Sequence, residues 1–324
     1  MSDIMRTHTI VEGLRALHFP SDRDGEMTAH LDRLFERDAE GAPIPVPLRF
    51  GRTRETRAIL YVADPGDGKT HSVHRGLFKY PALVERPDGS LPWIFATVPS
   101  PASLKSMVYA LLKASGYPIE TSRRSIWELV DILRDRLHDF GQCLIWIDEG
   151  HDLFCADRDL ILRFLKALMQ GDEAVIVVMS GTNKLDEVIR SDPQVQRRFS
   201  VIRPRAVTAH IDGPDFTDRI AECCRRAGLR PPSEPDLVSR LFHAARYRFG
   251  RVIEMTIDAI EQALLAEADG LEVWHYALVW GMQEGPEAER NVFLVGNWKS
   301  IETDPIEIER PRRRHRAASR TGGR

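Results

Sequence analysis

The residues best suited to chemistry sit together in ADPGDGKT, residues 63–70. Glycines, a lysine and a hydroxyl residue in this order fit a polyphosphate. Gly66 and Gly68 allow backbone N–H groups to turn toward phosphate oxygens. A helix starting near Lys69 adds the positive end of its dipole. Lys69 supplies a mobile charge for the β- and γ-phosphates, and the Thr70 hydroxyl is a ligand for Mg²⁺. The pattern is GxxxxGK[ST] with Ala63 in place of the first glycine. Alanine confines that residue to negative φ but leaves the cradle in place. The expected nucleotide-binding stretch is therefore Asp64, Pro65, Gly66, Asp67, Gly68, Lys69, Thr70 and His71.

A second stretch, CLIWIDE, follows 79 residues after Lys69, counted to Asp148. Asp148 is expected to hold Mg²⁺, and Glu149 to polarise an attacking water as general base. The alternative is an acidic turn opening the next helix. In VMSGTNKL, Thr182 and Asn183 are candidates for a polar group between the acids and the γ-phosphate; an ordinary strand-end turn is the other reading. In SDPQVQRRF, Arg197 and Arg198 are either a surface basic pair or arginines that reach a neighbouring subunit's γ-phosphate. His71 and His74 stand at i, i+3 without a third metal ligand and are read as packing or surface residues. His151 is read as part of a polar turn, or as a contact to Glu149 or a neighbouring chain, and Trp274, Tyr276 and Trp280 as core of a late helix or a docking face.

These motifs need a strand before and a helix after each, and the sequence supplies them. Residues 58–62, 93–98, 143–147, 174–179 and 201–202 are continuous apolar runs, as expected of a parallel sheet covered on both faces. Between them, helices are expected over 69–80, from Ser100-Pro101 as cap and first residue to Gly116, over 125–140, and from a cap at Asp157. Beyond residue 212 only helical patterns follow, at 216–227, 236–248, 252–268 and 273–283, with Gly228 and Gly270 as stops. Residues 1–50 read as a leader with a short amphipathic pattern at 27–37, and GAPIPVP (41–47) as a helix breaker. The expected architecture is α/β: a leader (1–50), a phosphate-loop domain with a parallel five-stranded sheet (51–212), a small all-helical lid (213–300) and a basic disordered tail (301–324).

The formal charge of −3 conceals an asymmetry: residues 310–324 hold seven arginines and no acid, which leaves −10 on the remainder. A basic tail on an acidic body suits an anionic partner or a solvated end. Cys143, Cys155, Cys223 and Cys224 have no metal-binding spacing and are expected to be reduced. No signal-peptide core or membrane-length apolar run is present, so no membrane role and a cytoplasmic location are expected.

With YVADPGDGKTHSV, LIWIDEGHDLF, VMSGTNKL and SDPQVQRRF in this order, the chain resembles AAA+ ATPases, and more narrowly the TniB/TnsC group of transposition regulators, related in role to MuB and IstB. The resemblance spans about residues 10–295. It implies ATP with Mg²⁺ bound between subunits of a homo-oligomer, and Arg198, directly before Phe199, as the arginine finger. It matches Arg251, in RFGRVIEM, to the lid arginine that touches nucleotide; an exposed helix-start arginine is the alternative. It implies sequence-independent contacts to double-stranded DNA by Lys105, Arg123 and Arg124, and a transposase as partner. The chain departs from the pattern at Ala63 and at Gly150, where a larger apolar residue is usual. Three functions follow as expectations. The first is a regulator that assembles on DNA with ATP and disassembles on hydrolysis; the others are an AAA+ loader or remodeller of protein and an ATP-liganded scaffold with little turnover.

Overall fold

Five apolar runs carry the architecture. In the computed structural model, which describes residues 3–118, 123–154 and 158–303, the chain opens with α1 (Asp3–Arg15) and α2 (Asp22–Leu31), then a two-stranded antiparallel hairpin of β1 (Phe35–Arg37) and β2 (Pro43–Pro47). The sheet domain follows: β3 (Ala58–Val62), α3 (Lys69–Lys79), β4 (Trp93–Thr97), α4 (Leu104–Ala114), α5 (Ile126–Asp139), β5 (Leu144–Asp148), α6 (Gly150–Leu153), α7 (Arg158–Leu168), β6 (Ile176–Gly181), α8 (Asn183–Arg190), α9 (Pro193–Gln196) and β7 (Phe199–Ile202). Four helices complete it: α10 (Ala209–Ala227), α11 (Leu237–Ala244), α12 (Phe249–Leu265) and α13 (Val273–Glu284). The arginine-rich tail, Cys155 and Asp157 lie outside the described residues.

The sheet is parallel, in the order β4-β5-β6-β3-β7. Every residue of β3, β5 and β6 is buried, because helices cover both faces. One face packs Leu60, Val62, Ile145 and Val177 against α4, α5 and α7. The other packs Ile59, Tyr61, Trp146 and Val178 against α2 and α3. A separate core joins Phe216, Leu241, Met255, Ile260 and Tyr276 of the last four helices. The register sets Val62 opposite Gly181 and Thr97 opposite Asp148. The phosphate loop, the acidic pair and Thr182 therefore leave the sheet at one edge, where ligands of open α/β sheets bind.

Several expectations differ locally. The proline-rich segment 41–47 contributes β2 rather than a break; a two-stranded hairpin tolerates the missing N–H groups of Pro43, Pro45 and Pro47. The pattern at 27–37 is the end of α2 followed by β1, and its Met27, Leu31, Leu34 and Phe35 share one core. The expected leader divides between cores, since Val11 and Leu14 of α1 pack into the cluster formed by α10–α13. Helix α4 is capped by Ser103, not Ser100: its hydroxyl accepts the Ser106 N–H at 3.0 Å. Helix α10 starts seven residues before Phe216 and tolerates Pro214 in its early turns. Gly228 ends it at φ +76°, but α12 turns off at Glu267 (φ +52°) rather than at Gly270. Among the described residues, no helix is long and apolar enough to cross a membrane.

Candidate functional site

Strand β3 delivers the phosphate loop, and α3 begins where it ends. Gly66 and Gly68 hold φ of +88° and +78°, a conformation that side chains with a Cβ resist. Gly68 is the N-cap of α3, so that helix's positive end opens into the loop. Ala63, with φ in the ordinary range, donates its N–H to Gly181 O at 3.0 Å, which ties the loop's entry to β6. The missing glycine thus falls at a position the sheet itself holds.

Strand β5 brings the carboxylates to the same place. Asp148 is buried, and its Oδ2 accepts the Thr70 hydroxyl at 2.7 Å. Its Oδ1 accepts from the Ser180 hydroxyl at 2.5 Å, and Ser180 in turn accepts the Trp146 indole N–H at 2.8 Å. The Lys69 ammonium, also buried, lies 2.8 Å from Glu149 Oε1. Glu149 sits in the left-handed region at φ +55°, a strained backbone of the kind stored at functional sites, about 1–3 kcal/mol. His151 Nδ1 stands 3.3 Å from Glu149 Oε2, so this turn engages the glutamate. Gly150 lacks a side chain for a packing reason: a Cβ there would approach Met179 Cε to 2.9 Å.

The donor set fits Mg²⁺. Thr70 and Asp148 offer two adjacent hard oxygens, and no cluster of three His, Cys, Asp or Glu side chains among the described residues forms an all-protein cage. Mg²⁺ characteristically takes one or two such ligands and completes its shell with phosphate and water.

Beside Gly68 a cavity of about 130 Å³ lies between the N-terminal segment, α3 and α12. Leu17, Phe19, Phe249 and Ile253 form apolar walls, and His18, Asp24, His71 and Ser72 add polar groups. His18 stacks on His71 with centroids 5.7 Å apart, and its Nε2 is 2.9 Å from Asp24 Oδ2. Burial, then the neighbouring His18, holds the His71 pKa below the usual imidazole value. His74 instead packs among Phe78, Trp93 and Trp146.

The remaining candidates take varied places. Thr182 occupies the N-cap position of α8, directly after β6, with its Oγ1 buried and without a hydrogen-bond partner. Asn183 is exposed and accepts from Arg203 at 3.0 Å. Arg198 is buried, with Nη2 2.7 Å from Glu55 Oε1 and with Nε and Nη1 unpaired; burial lowers its pKa. Arg197, far more open, pairs with the other oxygen of Glu55 at 2.6 Å. Arg251 Nη2 meets Glu284 Oε1 at 2.5 Å rather than the loop. Lys105 donates to the Arg124 carbonyl at 3.3 Å, so Lys105, Arg123 and Arg124 share one surface patch. Tyr276 and Trp280 are core, whereas Trp274 is exposed.

Four contributors escaped the sequence reading: Ser180, Arg23, Arg248 and Gly250. A hydroxyl inside the apolar run of β6 was a signal for Ser180, and RFGR for Arg248 and Gly250. Arg23 had none. Arg23 donates to Asp67 O at 2.6 Å, and Arg248 to Pro65 O at 3.0 Å.

Residues 48–206 match the family model of the bacterial TniB protein. No curated protein matches the sequence. Among solved structures, the chain is similar to the Aeropyrum pernix ORC1 protein solved in complex with DNA (20% identity, TM-score 0.54, 73% of this chain and 61% of that one). It is also similar to Cdc6p from Pyrobaculum aerophilum (14%, 0.51, 70% and 60%) and to the ADP form of the Aeropyrum pernix ORC2 protein (14%, 0.52, 76% and 73%). The chain spans about 60% of the length of the ORC1 and Cdc6p chains. At these identities the likeness is one of fold: an α/β domain with a parallel sheet, followed by helices.

Proposed function

From the premise that residues 48–206 match the TniB family, we propose that this protein is an ATP-dependent regulator of DNA transposition. The observation that carries the ATP part is the meeting of Lys69 with Glu149 and of Thr70 with Asp148, at 2.8 and 2.7 Å, on the carboxyl edge of one sheet. ATP lays its phosphates along Gly66–Thr70 and its base in the cavity beside His71. Thr70 and Asp148 would hold Mg²⁺, which would supply neutralising charge to the phosphates. Lys69 moves from Glu149 onto phosphate, which frees Glu149 to take a proton from water. Thr182, with its buried unpaired hydroxyl, orients that water, and Asn183 stands one residue further out on α8.

A site open at the sheet edge suits completion by a second copy of the chain. Arg198 is the finger candidate, with Arg197 beside it on the solvent side. Arg251 would turn from Glu284 to nucleotide as the lid closes. The ATP-bound oligomer grips duplex DNA through phosphate contacts by Lys105, Arg123 and Arg124, recruits a transposase and comes apart on hydrolysis. The fold shared with an ORC1 protein solved on DNA supports the DNA part.

The test measures DNA binding and ATP turnover together. ATP and Mg²⁺ should raise affinity for duplex DNA irrespective of sequence, with a steep salt dependence. Lys69→Ala should abolish the ATP effect. DNA binding indifferent to nucleotide in the wild-type protein would overturn the proposal.

A further inference from the structure

The phosphate loop contains two carboxylates, Asp64 and Asp67, where a polyphosphate has to sit. Unneutralised acids so close would repel it. Each acid faces an arginine from outside the sheet. Arg23, on α2, places Nη2 3.6 Å from Asp67 Oδ1. Arg248, the N-cap of α12, places Nη2 3.2 Å from Asp64 Oδ2.

The same two arginines hold loop carbonyls, Arg23 that of Asp67 and Arg248 that of Pro65. A loop that aims its N–H groups inward must aim C=O groups outward, and those require donors. We propose that Arg23 and Arg248 are positioning residues of the nucleotide site, which cancel the loop's own acids and keep its carbonyls turned away from phosphate. The inference rests on the ATP reading of this loop.

Neither arginine needs to touch nucleotide. Arg23 is 8% exposed, donates also to Arg205 O at 3.3 Å, and lies 4.9 Å over the Phe249 ring, so it is fixed in place. Burial pushes the Asp67 carboxyl up, and Arg23 opposes that shift. Arg248 reaches the loop because the next turn of α12 sits directly on it. A Cβ at Gly250 would stand 2.6 Å from Gly66 O and 2.8 Å from Gly68 N. The loop is thus gripped between the N-terminal region and the lid, by residues 225 positions apart in a chain of 324.

The experiment is binding of a fluorescent ATP analogue, with Mg²⁺, to the full chain. Arg248→Ala should weaken binding about tenfold, or about 1.4 kcal/mol. Adding Asp64→Asn to that variant should restore most of the loss, because the acid no longer needs its partner. Arg23→Met and its rescue by Asp67→Asn test the other side, with the melting temperature without nucleotide reporting folding. If Arg23→Met does not fold, the Arg248 pair decides. Variants that bind like wild type, or a loss that Asp64→Asn does not repair, overturn the inference and leave the ATP reading intact. Wild-type protein that binds no nucleotide overturns both.

Discussion

The buried Lys69 ammonium and the half-buried Glu149 carboxylate form an ion pair at 2.8 Å. In the proposed cycle each group has other work once ATP binds, and Glu149 keeps Lys69 from being an uncompensated buried charge. Lys69→Ala should therefore lose nucleotide affinity by more than about tenfold. Glu149→Gln should keep binding and lose about 10²–10⁴ in turnover, the range for a general base. Calorimetric titration and phosphate release separate the two. A Glu149→Gln protein that hydrolyses ATP at the wild-type rate would remove Glu149 from the mechanism.

Ser180 links Trp146 to Asp148 inside the sheet. In Ser180→Ala the buried indole N–H loses its acceptor, which costs about 1–3 kcal/mol. Asp148 loses a bond that orients it, so the Mg²⁺ concentration that supports half-maximal nucleotide binding should rise. Urea unfolding and a Mg²⁺ titration measure the two effects. No change in either would mean that the serine is replaceable.

Two glycine-to-alanine changes should differ. At position 250 the added Cβ meets loop backbone at 2.6 Å, which cannot yield without moving α12. At position 150 it meets the ends of Met179 and Leu185, which can shift. Alanine inside a helix otherwise gains up to about 1 kcal/mol over glycine. Gly250→Ala should nonetheless lose about 1–3 kcal/mol, as overpacking does, and Gly150→Ala less. A more stable Gly250→Ala protein would contradict the contact between α12 and the loop.

Acid should destabilise the fold through His30 and His275. Burial is the first cause lowering both pKa values below 6.5. His275 Nδ1 also accepts the Glu272 N–H at 3.0 Å, a bond that protonation at that nitrogen removes. A histidine whose folded pKa is depressed binds fewer protons folded than unfolded. Its stability contribution is present above 6.5 and is lost as pH falls through the folded pKa. The melting temperature should drop between pH 7.5 and 5.5. His275→Asn, which keeps an acceptor without a charge to gain, should flatten that drop; an identical slope would exclude His275.

The residues of the proposed nucleotide site were legible because its first layer is local. Gly66, Gly68, Lys69 and Thr70 are neighbours in sequence, and Asp148 and Glu149 adjoin at one strand end. Their chemistry depends on residue type and on a strand preceding each, which continuous apolar runs announce. The parallel sheet was legible for the same reason: β3, β5 and β6 are buried on both faces and tolerate only apolar residues until the strand end. The leader was not, since whether residues 41–47 extend or break depends on Phe35–Arg37 lying alongside. Nor was the grip on the phosphate loop. Arg23 and Asp67 are 44 residues apart, and Arg248 and Asp64 are 184 apart. An arginine has the same composition whether it coats a helix or closes on a carbonyl; only the packing of α2 and α12 against the loop decides which. Residue types and spacing alone marked out the proposed phosphate site. The tertiary structure decided which distant charges make an acid-bearing loop fit for an anion.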